Sequence, residues 1–357
     1  MAQNVGMTPD PVRVGLIGYG LAGSVFHAPL IASSPQLRLS AIVTSDAERR
    51  TKALHDYPNA RVVDSADRLL EMAGDLDLAV VATPNRTHVP LARAALHAGL
   101  PVVVDKPFAP TAAEGRALVE EARREELLLT VFQNRRWDSD FLTVRQLVAD
   151  GSLGSVYRLD SRFDRWRPKP KGGWREHGDP SEAGGLLYDL GSHLIDQALI
   201  LLGPVVGVYA ELDCRREGMP VDDDTFVALK HASGARSHLT MTVVAAQSGP
   251  RFHVLGSRAA YIKYGPDVQE EALKCGEKPT RAGWGEEPRE RWGALGAGDD
   301  ARPVRTLAGS YPEFYNGVAK ALRDKTPPPV DPNDSVAGLE IIEAAQRSAA
   351  ERRYVEL

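Results

Sequence analysis

The sequence predicts an α/β protein: an N-terminal doubly wound parallel sheet followed by an α+β domain with a large, open, mostly antiparallel sheet. Three observations lead to this prediction. A short apolar run, residues 13–17, ends in a glycine-rich turn. Segments typical of strands and helices alternate from residue 12 to about residue 132. Beyond residue 134 the strand-like segments lengthen and alternate polar with apolar side chains, which is typical of a sheet with one solvated face.

In the first half, apolar runs predict strands at residues 13–17, 38–43, 61–63, 76–83, 101–104 and 127–132. Helices are predicted at 24–33, at 87–98 and from the cap Thr111 to about residue 126, with Gly99 ending the second of them. The carboxyl ends of parallel strands meet along one edge of the sheet. The turns at 18–23, 83–85 and 105–107 are therefore expected to border one crevice.

In the second half, alternating segments predict strands at residues 156–163, 205–212, 226–231, 237–245 and 251–254. A final helix is predicted at 334–351, with Asp334 or Ser335 as its N-cap. Residues 276–305 are rich in glycine, proline and charge, and they show little periodicity. They are expected to form a long irregular segment, either functional or poorly ordered.

Composition limits the classes of partner. The chain has 357 residues and a formal net charge of −5, which argues against nucleic acid or an anionic membrane as the main partner. No apolar run approaches the roughly 20 residues of a membrane span, and residues 1–11 lack the features of a signal peptide. The two cysteines, Cys214 and Cys275, have no metal-ligand spacing. We expect a cytoplasmic protein without a bound metal.

The glycine-rich turn carries the strongest functional signal. Gly18, Gly20 and Gly23 follow a predicted strand and precede a predicted helix, which is the context of a dinucleotide-binding Rossmann fold. The first glycine permits the turn, the second lets a pyrophosphate approach the backbone, and the third allows helix and strand to pack closely. We expect a flexible tail at 1–11, a Rossmann domain at 12–133, and a substrate-binding and oligomerisation domain at 134–357.

Two further groups of residues could carry chemistry. Lys106 follows a predicted buried strand, where a protonated amine could stabilise a developing alkoxide; alone, a surface lysine in a turn explains it better. Asp189, His193 and Asp196 have the spacing of one helix face, on which a carboxylate can orient a histidine for general-base work. A structural histidine with a local ion pair has the same spacing.

Together these motifs resemble the family of glucose–fructose oxidoreductase and inositol 2-dehydrogenase. The Glu-Lys-Pro of that family appears as residues 105–107, with Asp105 in place of glutamate, and its Gly-Gly-x-x-x-Asp-x-x-x-His pattern is intact at 184–193. Strings at 26–30, 134–141 and 256–258 are similar to a bacterial branch with NADP-dependent scyllo-inositol dehydrogenases. The resemblance implies hydride transfer between a nicotinamide cofactor and a cyclic polyol or sugar. It assigns His193 as the base, Lys106 as the group that holds the reacting oxygen, Asp189 as a substrate or relay residue and Asp196 as a structural one.

Other functions remain open. A keto sugar, a nucleotide-linked sugar or a biosynthetic intermediate fits the same fold, because specificity resides in substrate-domain side chains. Some proteins that resemble this family bind dinucleotide as regulators without turnover. Those proteins lack the lysine or the histidine, whereas this chain has both.

The cofactor is expected to be NADP, with NAD possible. The position that holds an acidic residue in NAD enzymes corresponds to Ser45, and Arg49, Arg50 and Lys52 follow it; Asp46 would favour NAD if the register slipped by one. The three basic residues could also be a solvated helix face. The predicted cofactor contacts are Gly18, Tyr19, Gly20, Leu21, Ala22, Gly23, Thr44, Ser45, Arg49, Thr83, Pro84, Asn85, His88, Asp105 and Lys106.

The substrate is predicted to contact a tryptophan-containing basic stretch, residues 158–175, in which arginines could bind hydroxyls or an acidic group. A solvated loop explains the stretch equally well. With the residues that the resemblance adds, the predicted substrate contacts are Asn134, Arg135, Trp137, Trp166, Tyr188, Asp189, His193 and Tyr264. An open sheet needs a cover, so a homodimer or homotetramer is expected, as is usual in the family.

Overall fold

A computed structural model describes residues 10–170 and 172–357. The predicted flexible tail, residues 1–11, lies outside the described residues apart from Asp10 and Pro11. Two separate sheets account for the strands, one of six strands and one of nine. The α/β class and the order of the two sheets along the chain are confirmed.

The first sheet is parallel throughout. Its strands β1–β6 are Val12–Ile17, Leu37–Val43, Arg61–Val63, Leu78–Val81, Val102–Asp105 and Leu129–Phe132. The helices α1–α5 are Ala28–Ser33, Ala47–Asp56, Ala66–Leu70, His88–His97 and Ala112–Arg124. The strand order β3-β2-β1-β4-β5-β6 reverses direction at β1, which is the topological switch point where such sheets bind ligands.

Local chemistry explains the bounds of these elements. β1, β4, β5 and β6 are almost wholly buried, as parallel strands covered by helices must be. Thr111 caps α5, its hydroxyl accepting from the backbone N–H of Glu114 at 3.2 Å, as predicted. Between β1 and α1 the chain forms a π-helical turn, Ala22–His27, where the sequence predicts only an ordinary helix.

The second sheet is mostly antiparallel. Its strands β7–β15 are Val156–Asp164, Val205–Asp213, Asp224–His231, Arg236–Thr242, Phe252–Gly256, Ala260–Lys263, Gly293–Gly296, Arg302–Val304 and Val355–Glu356. The helices α6–α10 are Ser139–Ala149, Ser192–Leu202, Gln269–Lys274, Pro312–Asp324 and Pro332–Glu351. The strand order is β14-β13-β12-β11-β7-β10-β9-β8-β15, and β7 with β10 is the parallel pair. Inward residues of β7 alternate with partly exposed ones.

Two predictions for this half are wrong. Residues 276–305 are not irregular throughout, because β13 and β14 both lie within them and extend one edge of the sheet. The last helix is capped by Asp331, whose carboxylate accepts from the backbone N–H of Asn333 at 2.9 Å. Asp334 instead pairs with Arg136 at 2.9 Å, and Ser335 is buried inside the helix.

The last two helices also cover the first domain. The hydroxyl of Tyr315 on α9 lies 2.6 Å from Nδ1 of His27. The hydroxyl of Thr130 in β6 donates to the carbonyl of Val330 at 2.7 Å, and the backbone N–H of Ala112 donates to Glu343 on α10 at 2.8 Å. One hydrophobic core therefore runs through both sheets and these helices. No helix within residues 10–170 and 172–357 is both long and apolar enough to cross a membrane.

Candidate active site

The glycine turn after β1 has the geometry that a phosphate cradle needs. Gly18 has φ +103°, and a Cβ there would lie 2.4 Å from the carbonyl oxygen of Ala82. A Cβ at Gly23 would lie 2.0 Å from the carbonyl oxygen of Gly18, so only glycine permits this packing. At Gly20 the Cβ direction is open, and the nearest atom is a guanidinium nitrogen of Arg49 at 3.8 Å. The second glycine thus leaves space for a ligand.

Lys106 is held against Asp189. It follows β5, and its Nζ donates to the backbone oxygen of Asp189 at 2.6 Å and to Oδ1 at 2.9 Å. Nε of Arg175 lies 3.3 Å from the same Oδ1. Burial would raise the pKa of Asp189, but the charges of Lys106 and Arg175 outweigh it and hold the pKa far below its ordinary value. The Asp189 carboxylate is therefore ionised, with two cationic partners.

His193 stands beside this pair as a buried, neutral imidazole. It is the second residue of α7, which follows a second π-helical turn, Leu187–Gly191, and it is 3% exposed. Burial first, and then the charges of Lys106 and Arg135, hold the pKa of His193 well below its ordinary value. Its Nδ1 has no hydrogen-bond partner in the described residues. The neutral ring borders the cavity and can accept a proton there.

Asp196 does not join this group. Its carboxylate receives two hydrogen bonds from Arg136, at 2.9 and 2.5 Å, and it does not line the cavity that contains His193. The shared helix face predicted for Asp189 and Asp196 assumed a regular α-helix. The π-helical turn departs from that period, so the two carboxylates have different partners.

A cavity of about 500 Å³ connects the glycine turn with these groups. Leu21 and Ala22 border it from the turn, and Lys106, Asp189 and His193 from the strand end and α7. Its other charged or aromatic walls include Phe26, Asp105, Phe132, Arg135, Arg165, Arg167, Trp174, Arg175, Glu176, Arg216, Asp222, Glu270 and Lys274. Among the described residues, no cluster of three or more His, Cys, Asp and Glu residues could hold a metal ion.

Four of the eight predicted substrate contacts line this cavity: Asn134, Arg135, Asp189 and His193. The other four do not. Trp137 packs edge-on against Phe314, and the buried Tyr188 donates its hydroxyl proton to the carbonyl of Pro110 at 2.9 Å. Trp166 and Tyr264 are 58% and 57% exposed and border neither this cavity nor the one beside it.

The predicted cofactor contacts divide in the same way. Leu21, Ala22, Asp105 and Lys106 line the cavity, and Gly18, Gly20 and Gly23 form the turn at its edge. The remaining predicted contacts lie outside its lining: Tyr19, Thr44, Ser45, Arg49, Thr83, Pro84, Asn85 and His88.

Several of these residues are engaged elsewhere. The Asn85 amide donates to the carbonyls of Glu182 and Ala183 at 3.0 and 3.1 Å. The ring nitrogens of His88 lie 2.8 and 2.9 Å from the carbonyl oxygens of Pro107 and Thr83. The Tyr19 ring is buried, edge-on to Tyr57. Arg49 is different, because its guanidinium reaches toward Gly20.

The substrate prediction missed some of the cavity wall. The cavity is lined by members of the basic stretch 158–175 other than the predicted Trp166, namely Arg165, Arg167, Trp174 and Arg175. Side-chain alternation along the chain after β7 would have separated Trp166 from its neighbours. Arg216, Glu270 and Lys274 come from distant segments, and no local pattern marks them.

Comparison with known proteins places this site in a family context. The profile "Oxidoreductase family, NAD-binding Rossmann fold" matches residues 12–133, and "Oxidoreductase family, C-terminal alpha/beta domain" matches residues 145–357. The uncharacterised oxidoreductase YdgJ of Escherichia coli is 42% identical over 96% of this chain and 98% of its own. The scyllo-inositol 2-dehydrogenase (NADP(+)) IolW of Bacillus subtilis is 36% identical over 98% of this chain and 96% of its own. The structure of the oxidoreductase yvaA from Bacillus subtilis superposes with a TM-score of 0.91 at 36% identity, covering 98% of this chain and 99% of that one.

Proposed function

Because the chain belongs to the Gfo/Idh/MocA family of NAD(P)-binding oxidoreductases, we propose that it transfers a hydride between a nicotinamide cofactor and a hydroxyl-bearing or keto carbon of a cyclic polyol or sugar. One observation carries the proposal. Lys106, Asp189 and His193 meet in a single cavity that is bordered by the glycine turn. The name of the relative IolW, a scyllo-inositol dehydrogenase, supports a polyol as the substrate.

The residues present fit a dinucleotide. The space above Gly20 and the start of the π-helical turn at Ala22 would receive the pyrophosphate. Leu21 and Ala22, where the turn meets the cavity, would border the nicotinamide end. When bound, the nicotinamide accepts or donates the hydride.

His193 and Lys106 would act on the substrate oxygen. The neutral imidazole of His193 takes the hydroxyl proton during oxidation and returns it during reduction. The Lys106 ammonium donates to the same oxygen and stabilises its developing negative charge. Asp189 holds Lys106 through two hydrogen bonds and presents its carboxylate to a neighbouring hydroxyl.

Substitution of the lysine and the histidine tests this function. Inositols, aldoses and keto sugars would be assayed with NADP and NAD by nicotinamide absorbance in both directions. Lys106→Met is expected to lower kcat by about 100- to 1,000-fold, and His193→Ala to lower kcat strongly as well. Near-normal turnover by both variants would contradict the mechanism. Dinucleotide binding without turnover of any compound would favour a regulatory role.

NADP is the proposed cofactor. Asp46 caps α2, its carboxylate accepting from the backbone N–H of Arg49 at 2.8 Å, which supports Ser45 rather than Asp46 as the discriminating residue. Lys52 is paired with Asp56 at 2.6 Å, whereas the Arg49 guanidinium reaches toward the glycine turn. Arg49→Ala should raise the Kd of NADP by about 10-fold or more while changing that of NAD little. Lys52→Ala is the matched control, and an equal loss for both cofactors would refute the assignment.

The proposal extends to assembly and location. The face of the second sheet opposite the helices carries Phe226 and His238 with their rings 6.0 Å apart, and Asp160 lies 3.1 Å from Nδ1 of His238. A second copy of the chain would cover this face, and light scattering after size exclusion would measure the assembly. Phe226→Glu should yield monomers, whereas Leu54→Glu, at an exposed position on α2, should not.

The two exposed cysteines are free thiols, which supports the cytoplasm as the compartment.

A further inference from the structure

Two arginines beyond the end of β7 share a wall of the cavity. The backbone N–H of Arg165 donates to the carbonyl of Thr242 at 2.9 Å, and that of Arg167 to the carbonyl of Val243 at 2.7 Å. Because side chains alternate along extended chain, Arg165 and Arg167 face one side and Trp166 faces the other. Both arginines also line a second cavity of about 230 Å³, so they stand where the two cavities meet.

Neither of these two guanidinium groups is in direct contact with a carboxylate of the described residues. The other cations of the main cavity have carboxylate partners: Lys106 and Arg175 with Asp189, Arg135 and Lys274 with Glu270, and Arg216 with Asp223. Within residues 10–170 and 172–357, neither Arg165 nor Arg167 has a side-chain hydrogen bond or an ion pair. Burial lowers the pKa of Arg165, although the charges of Asp189 and Glu270 oppose this.

The cavity as a whole also has fewer acidic than basic side chains. Its described lining holds seven lysines and arginines against five aspartates and glutamates, although the whole chain carries a net charge of −5. A partly buried guanidinium that has lost water without gaining an anion is unfavourable. A ligand oxyanion would satisfy it, and the surplus cationic charge would attract such a ligand.

We propose that Arg165 and Arg167 form an oxyanion subsite, and that the substrate is a sugar or polyol that carries a carboxylate or a phosphate. The inference rests on the proposed function, because it assigns the anion to the substrate of that same site. A planar guanidinium donates two parallel hydrogen bonds to a carboxylate, and a pair of them can share a phosphate. The cofactor phosphates have their own cradle at residues 18–23, in the other domain.

Matched substrates test the subsite. With NADP or NADPH, kcat/KM would be compared for glucose, glucuronate and glucose 6-phosphate. We expect the wild-type enzyme to prefer at least one anionic compound over glucose by 10-fold or more. In Arg165→Gln/Arg167→Gln that ratio should fall by about 10-fold or more, to near 1. The control Arg158→Gln alters an arginine of β7 that pairs with Asp160 and lines neither cavity, so its ratio should be unchanged. A preference for glucuronate would identify a carboxylate as the bound group, and a preference for glucose 6-phosphate would identify a phosphate.

The outcomes separate this inference from the proposed function. Turnover of glucose as good as that of both anions would overturn the subsite and leave the oxidoreductase function intact. If none of the three is turned over, glucuronate and glucose 6-phosphate would be titrated calorimetrically into the NADP-loaded protein. Saturable binding that the double variant loses would support the subsite without the reaction, and no binding to the wild type would overturn it. Loss of NADPH binding in Arg165→Gln would also overturn it, by assigning the arginine to the cofactor.

Discussion

Replacing Gly20 with alanine separates the ligand role of the glycine turn from its structural role. The added methyl group meets no protein atom closer than the Arg49 guanidinium at 3.8 Å, which is an ordinary contact. The backbone φ of Gly20 also lies outside the left-handed region. We therefore expect the free energy of unfolding to change by less than about 1 kcal/mol.

The effect on cofactor binding should be much larger. The methyl group would occupy the space through which a pyrophosphate approaches the backbone N–H groups. Losing one or two charge-assisted hydrogen bonds, at about 1.5–3 kcal/mol each, corresponds to a Kd about 10- to 150-fold higher for each bond lost. Fluorescence titration with NADPH would measure the Kd, and thermal denaturation would measure the stability.

Two other glycines serve as controls. Gly74 is in the same domain with no atom within 4 Å of its Cβ direction, so Gly74→Ala should alter neither quantity appreciably. Gly23→Ala should destabilise the fold itself, because its Cβ would lie 2.0 Å from the Gly18 carbonyl oxygen. If Gly20→Ala binds NADPH as tightly as the wild type, the turn does not hold the pyrophosphate and the reasoning is refuted.

The remaining predictions concern pH and a buried ion pair. Because burial and the cations Lys106 and Arg135 depress the pKa of His193, the base stays neutral as pH falls from 8 to 6, and kcat/KM for oxidation should show no loss centred near 6.5. In Lys106→Met that pKa should rise, so the acidic limb of the pH profile should move upward. Lys263 and Glu287 pair at 3.0 Å with fully buried side chains. Lys263→Met should therefore lower the free energy of unfolding by about 3–5 kcal/mol in urea denaturation, and Lys263→Met/Glu287→Leu should recover most of it; a single-variant loss below about 1 kcal/mol would contradict this.

Features that depend on local chain chemistry could be predicted from the sequence. The strand at residues 61–63 has the predicted bounds, and Thr111 caps its helix as expected. The ends of β1 and β5 follow from apolar runs that stop at turn residues. These patterns predict that the glycine turn and Lys106 lie at one edge of the first sheet, because the carboxyl ends of parallel strands meet there.

Features that depend on distant partners could not be predicted. Alternation predicts that Trp166 faces away from its arginine neighbours, but it does not predict which of them faces the cavity. That depends on how the chain after β7 hydrogen-bonds to residues 242–243. An ideal helical period predicts that Asp196 shares a face with Asp189, but a π-helical turn interrupts that period. Glu270 and Lys274 reach the cavity from α8, far along the chain from Arg135, and only tertiary packing makes them neighbours.

The cover that α9 and α10 give the first domain bears on how the protein is made. Translation releases the nucleotide-binding half long before the residues that bond to His27, Thr130 and Ala112 leave the ribosome. A truncated product that ends near residue 133 would expose part of its apolar core to water. The cofactor half is therefore expected to mature late in synthesis, and a shortened expression clone of residues 12–133 would be a poor substitute for the whole chain.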